Sequence, residues 1–147
     1  MKMIDHIKQA NYDDFKVGDT AAISKTITEA DVVLFAGITG DFNPLHVNEE
    51  FAQTTQFGKR LVHGCFSSGL ISAVLGMKLP GPGALYAGQN VKFVKPVFIG
   101  DTITAKATVK DKFTKKDGKL KFLTIETNCY NQKGDLVTEG EATIILM

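Results

Sequence analysis

The sequence predicts an α+β fold in which a long antiparallel sheet wraps around one central apolar helix, and three observations predict it. Residues 62 to 77, VHGCFSSGLISAVLGM, form the longest apolar stretch, with Val62, Phe66, Leu70, Ile71, Val74 and Leu75 spread around most of a helical wheel. PGPG at 80 to 83 then stops any helix, and the rest reads as strand: roughly 84 to 94, 101 to 113, 119 to 131 and 135 to 146. Those strands exceed the usual length of about 5 to 6 residues, so they can curve around a single helix, and Asp117-Gly118 and Lys133-Gly134 supply hairpin turns.

The elements before the helix follow in order. In AAISKTI the positions Ala21, Ile23, Lys25 and Ile27 alternate with their neighbours as in a half-buried strand that ends at Thr28. Thr28 and Asp31 have the spacing of a capping box with Asp in place of Glu, and Val32, Val33, Phe35 and Ala36 suit a short helix broken at Gly37 and Gly40. Thr39 to His46 holds Gly40, Asp41, Asn43 and Pro44 and reads as an ordered loop, because a proline disfavours helix at the residue before it. Asn48 is placed to cap a second short helix from Glu49. In the central helix, Gly64, Ser67, Ser68, Gly69, Ser72 and Ala73 are small, which predicts that sheet or substrate approaches the backbone closely; the helix should be buried on nearly all sides.

Length and composition exclude several classes. With 147 residues, 44% of them hydrophobic, and no repeat, linker or charge block, the chain is expected to form a single domain over 1–147. Lys and Arg number 17 against 16 Asp and Glu, so no global field favours nucleic acid or a membrane surface, and any anionic ligand must be met by local charges. The start lacks the pattern of a secretory signal and no run of eighteen apolar residues occurs, so a cytoplasmic location is expected. Cys65 and Cys129 form no CxxC pair and are expected to be buried, reduced thiols.

The segment FAGITGDFNPLHVNEEFA, Phe35 to Ala52, carries the chemistry. Hydrating a double bond beside a thioester needs a base to take a proton from water, an acid to protonate the α-carbon, and a donor for the enolate oxygen. Asp41 and His46, on a segment stiffened by Pro44, can share the first two tasks, and the amide of Asn43 can orient either. The oxyanion donor is expected at the start of the apolar helix, where the first N–H groups lack partners and Gly64 presents its own unobstructed. Spacing alone leaves plainer readings open: Asp41 as a turn former, His46 as a satisfied histidine, and His63 as structural, with no partner near it in sequence; His6 lies in the terminus. No metal is expected, because Asp41, Asn43 and His46 have no second His/Cys/Glu cluster to complete a shell.

These residues resemble the (R)-specific enoyl-CoA hydratases of the MaoC-like group, also called hydratase 2, over essentially the whole chain. The motif of that family is matched by Phe35, Ile38, Thr39, Gly40, Asp41, Asn43, Pro44, Leu45, His46 and Ala52, and LVHGCFSSGLIS and YAGQNVKFVKPVFIGDTI are similar to its central helix and following strand. The resemblance implies a single hot-dog fold, a homodimer joined sheet edge to edge, and active sites at the dimer interface. It implies Asp41 and His46 as the catalytic pair, Gly64 as the amide on the thioester oxygen, and Ser72 and Asn43 as supporting residues. The implied substrate is an acyl thioester giving an (R)-3-hydroxyacyl product, with no cofactor, since coenzyme A is part of the substrate. Lys59, Arg60, Lys92 and Lys95 are candidate phosphate partners. A thioesterase on the same fold, a dehydratase acting on acyl carrier protein, and a non-catalytic acyl-thioester sensor are the alternatives.

Overall fold

A computed structural model describes residues 6–147. After a 3-10 turn at Tyr12–Asp14, the elements are β1 (Thr20–Thr26), α1 (Glu29–Thr39), α2 (Pro44–Val47), α3 (Glu49–Gln53), α4 (Gly64–Met77), β2 (Leu85–Phe93), β3 (Thr102–Lys115), β4 (Leu120–Tyr130) and β5 (Leu136–Leu146). The five strands form one antiparallel sheet in the order β1-β3-β4-β5-β2. Register shifts at Val109/Asp111, Cys129/Tyr130 and Tyr86/Gly88 mark bulges, which bend strands and let the sheet curve.

The curved sheet closes on α4. In β4 and β3 alternate side chains point inward, and Ile103, Ala105, Ala107, Val109, Leu123, Ile125 and Cys129 are all fully buried. They meet Leu70, Ile71, Val74 and Leu75 of α4 in one core that also takes Val137, Ala142, Ile144 and Leu146 of β5. Full burial of a side chain such as Ile71 contributes about 1.5–3 kcal/mol, so this face of α4 anchors the helix. The opposite face does not follow the expectation of burial on nearly all sides: Cys65, Gly69, Ser72 and Gly76 are exposed along a stripe of small residues. Cys65 is therefore an open thiol and only Cys129 is buried, with burial pushing its thiol up to about 12.

The strand and turn assignments agree with the sequence reading to within a few residues. The capping box at the start of α1 is complete: Thr28 Oγ1 accepts from the Asp31 N–H at 3.2 Å, and Asp31 Oδ2 accepts from the Thr28 N–H at 2.9 Å. That backbone donor, with Lys25 beside it at 3.1 Å, holds the Asp31 carboxyl below its usual range. Gly37 does not break α1; Gly40 ends it in the left-handed conformation, φ 80°, with its N–H on Ala36 O at 2.8 Å. The stretch read as loop up to His46 is helical from Pro44, because Asn43 stays extended ahead of the proline while the ring suits the first helical position. Asn48 caps α3 through the Phe51 N–H, as the sequence predicts.

Candidate active site

Short-range hydrogen bonds build the segment that carries Asp41 and His46. Thr39 Oγ1 accepts from the Asp41 N–H at 3.2 Å while its hydroxyl donates to Phe35 O at 2.8 Å. Asp41 Oδ1 accepts from the Asn43 N–H at 3.2 Å, and Asn43 Oδ1 accepts from the Leu45 N–H at 3.0 Å, capping α2. Asn43 thus supports Asp41 through its backbone, while its side chain serves the helix that carries His46. Asp41 is exposed and His46 half-buried.

Longer-range contacts then aim the imidazole. His46 Nδ1 lies 2.8 Å from Leu61 O, a contact that only an N–H can satisfy, so in the neutral ring the lone pair is on Nε2. The His46 ring stacks on that of His63, with centroids 3.9 Å apart and planes at 29°. His63, almost fully buried, in turn has Nε2 3.0 Å from the Asp41 backbone carbonyl. One side-chain atom from each of Asp41, His46 and His63 lies within 4.8 Å of the other two. As a metal shell this trio is poorly arranged. The stacked rings hold their in-plane lone pairs in separate near-parallel planes instead of converging on one ion. His63 is the site residue that sequence spacing does not reveal.

A cleft of about 310 Å³ opens beside His46 and is lined by Phe57, Leu61, Val62, Gly64, Ser67, Phe93, Val94, Lys95, Pro96, Val97 and Thr138. Gly64 is the first residue of α4, and a Cβ there would lie 2.9 Å from the Phe93 ring, so the glycine is what lets β2 approach the helix start. Its N–H belongs to the first turn, where amides lack intrahelical acceptors and attract negative charge. Ser72 lies eight residues further on, about 12 Å along the helix, and does not line this cleft; Ser67 does.

The candidate phosphate contacts divide. Arg60 donates to Glu29 of α1 at 2.7 Å and to Glu49 of α3 at 2.9 Å, so two carboxylates already match its charge and raise its pKa, and its structural task is to tie the two helices together. Lys92 approaches Glu139 at 3.8 Å on the exposed surface. Lys59 lies over the Phe98 ring at 4.2 Å, and Lys95 approaches Asp135 at 3.3 Å. Lys59 and Lys95 also line a polar groove that shares Lys95 and Pro96 with the cleft at His46.

A long curved sheet around one helix is a hot-dog fold, and here an apolar cleft beside the helix start is lined by His46, with the Asp41 carboxylate close to that imidazole. Residues 17–129 match the MaoC like domain, and the chain belongs to that family. It is 51% identical over 135 residues to an (R)-specific enoyl-CoA hydratase of Rhodospirillum rubrum, covering 92% of this chain and 90% of that protein. Among solved structures, the R-hydratase PhaJ1 from Pseudomonas aeruginosa in its unliganded form superimposes with a TM-score of 0.86 at 38% identity, covering 94% of this chain and 86% of that one. The (R)-hydratase from Aeromonas caviae involved in PHA biosynthesis gives 0.84 at 40% identity, covering 90% and 98%. No described helix is long and apolar enough to cross a membrane.

Proposed function

We propose that this protein reversibly hydrates trans-2-enoyl-CoA to (R)-3-hydroxyacyl-CoA, with Asp41 and His46 as the acid/base pair and the Gly64 N–H as the oxyanion donor. The observation that carries the reading is the convergence of Asp41 and His46 to within 4.8 Å at a cleft that His46 and Gly64 both line. In the hydration direction the thioester oxygen accepts from Gly64, and charge building on it as the enolate forms is stabilised by the unpaired amide of α4. Water held between His46 Nε2 and the free Asp41 oxygen gives one proton to this pair as its oxygen bonds to the β-carbon. A proton returns from the pair to the α-carbon, so the water is divided across the double bond and nothing else is consumed. The relatives named as hydratases support hydration over thioester cleavage.

The same reading makes the working unit a homodimer. Strand β2 is an edge of the sheet, its side toward solvent unpaired, yet it exposes Leu85, Tyr86, Val91 and Phe93. A shallow groove joins Tyr86–Gln89 and Val91 of β2 to Ser68 on the open side of α4, so edge strand and small-residue stripe form one continuous face. A second copy pairing β2 with β2 covers both, places Ser72 at the interface and holds Phe93 against Gly64. Lys59 and Lys95, in the groove that continues from the cleft, are placed for the phosphates of the carrier.

Steady-state hydration of crotonyl-CoA tests the assignment. Asp41→Asn and His46→Ala are each expected to lower turnover by about 10²- to 10⁴-fold while leaving the thermal melt close to wild type. A variant that hydrates at a near-normal rate refutes it, and free thiol released from a saturated acyl-CoA would instead indicate hydrolysis.

A further inference from the structure

We propose that His63 is the positioning residue that locks the acid/base segment onto the start of α4. The inference rests on the assignment of Asp41, His46 and Gly64 above and adds the element that holds the three in register. His63 directly precedes Gly64 and occupies the N-cap position of α4, but its side chain makes no capping hydrogen bond. The usual use of a polar residue there is given up, and the imidazole is turned instead towards the segment 41–46.

Two contacts result. His63 Nε2 is 3.0 Å from Asp41 O, and a carbonyl only accepts, so this nitrogen carries a hydrogen and donates. The ring also packs against two others, stacked on His46 at 3.9 Å and tilted to Phe35 at 4.8 Å, and the stack constrains the His46 imidazole. One side chain therefore holds the backbone of one member of the pair and the face of the other, from the residue next to the oxyanion donor.

The cost of the arrangement is visible. Nδ1 of His63 is buried without a hydrogen-bond partner in a residue only 2% exposed. A buried acceptor left unpaired is destabilising, and native structures keep such groups only where the surroundings over-determine them or function requires them. For packing alone, an apolar ring beside Phe35 would fill the space without that penalty. What it would lose is the donor to Asp41.

The test separates the two contacts. His63→Phe keeps a ring for His46 and removes the donor; His63→Gln keeps an amide N–H within reach of Asp41 O and removes the ring. With crotonyl-CoA, the phenylalanine variant is expected to lose kcat by about 10- to 100-fold with KM little changed, as for a displacement near 1 Å at the reacting groups. The glutamine variant is expected to recover part of that loss. In an Asp41→Asn background His63→Phe should add little further loss, because the residue acts through Asp41. Independently of activity, a slowly exchanging His63 Nε2–H should be visible by NMR and absent in both variants.

A normal kcat in His63→Phe, a loss confined to KM, a full additional loss in the Asp41→Asn background, or a rapidly exchanging Nε2–H each overturns the proposal. If the phenylalanine variant does not fold, His63→Gln decides: a reduced kcat with an unchanged melting temperature supports the role, and no change in either overturns it. Should Asp41→Asn and His46→Ala lose activity while both His63 variants keep it, this inference fails and the assignment of the pair stands. Should the pair variants themselves keep activity, the underlying reading fails.

Discussion

The two halves of the site are made of different material. The segment from Thr39 to Val47 is exposed or half-buried and holds its shape through hydrogen bonds between residues two to four apart. The start of α4 contains the buried His63 and is held by core packing of Val62, Leu70 and Ile71, with Phe93 of a strand nearly thirty residues downstream pressed against Gly64. In the proposed mechanism the groups that exchange protons with water belong to the exposed half, and the proposed oxyanion donor belongs to the half that the core immobilises. The difference teaches that a change in the second half should travel further than one in the first, unless it strikes a reacting group.

Gly64→Ala is the sharpest way to break that contrast. Its Cβ would lie 2.9 Å from the Phe93 ring, so either the ring or the helix start must shift. Turnover of crotonyl-CoA should fall about 10- to 100-fold, although the N–H itself is retained. Adding Phe93→Leu should restore part of it, and a full rate in Gly64→Ala would sink the account of the close approach.

A smaller effect is expected from Val91→Lys on β2, which puts a charge on the apolar edge. Sedimentation should show the mass dropping from a dimer towards the single-chain 16.0 kDa, with activity falling in step with the monomer fraction. An unchanged mass in both proteins would remove β2 as the interface.

Least of all should Thr28→Ala matter to catalysis, since it touches only the local cap of α1. Thermal or urea unfolding should show a loss of about 1 kcal/mol with kcat unaltered. The companion change Asp31→Asn adds a pH signature. The folded carboxyl titrates below 3.8, so its contribution is present above that value and lost as the pH falls through the lower folded value. The stability gap between wild type and Asp31→Asn should therefore close in acid, and a gap that persists there would rule the ionised carboxylate out as its source.

Much of this molecule was legible before any coordinates. Alternation marked β1, the turns at Asp117-Gly118 and Lys133-Gly134 marked the joins of β3, β4 and β5, and Thr28 with Asp31 marked the start of α1, because each signal is written within a few residues. Pro44 misled in an instructive way: the rule that excludes helix before proline holds for Asn43, yet says nothing against a helix that begins at the proline itself. The composition of α4 suggested burial on most sides, whereas the face with Cys65, Gly69, Ser72 and Gly76 stays open in the protomer. Small residues allow close approach without saying what approaches, and a helical wheel cannot distinguish sheet from a second chain.

His63 was legible only as a structural histidine, and its contacts were not. Its partners, the ring of His46 and the carbonyl of Asp41, lie 17 and 22 residues upstream and approach it only once α4 has docked. By itself the sequence determined the strands, the caps and the non-helical stretch from Gly40 to Asn43 in the segment bearing Asp41 and His46, because those depend on neighbours a few bonds away. Only the tertiary structure decided that this segment faces Gly64, that Phe93 closes over it and that His63 joins the two, because such contacts depend on how α4 beds into the curved sheet, and spacing along a chain carries no record of that.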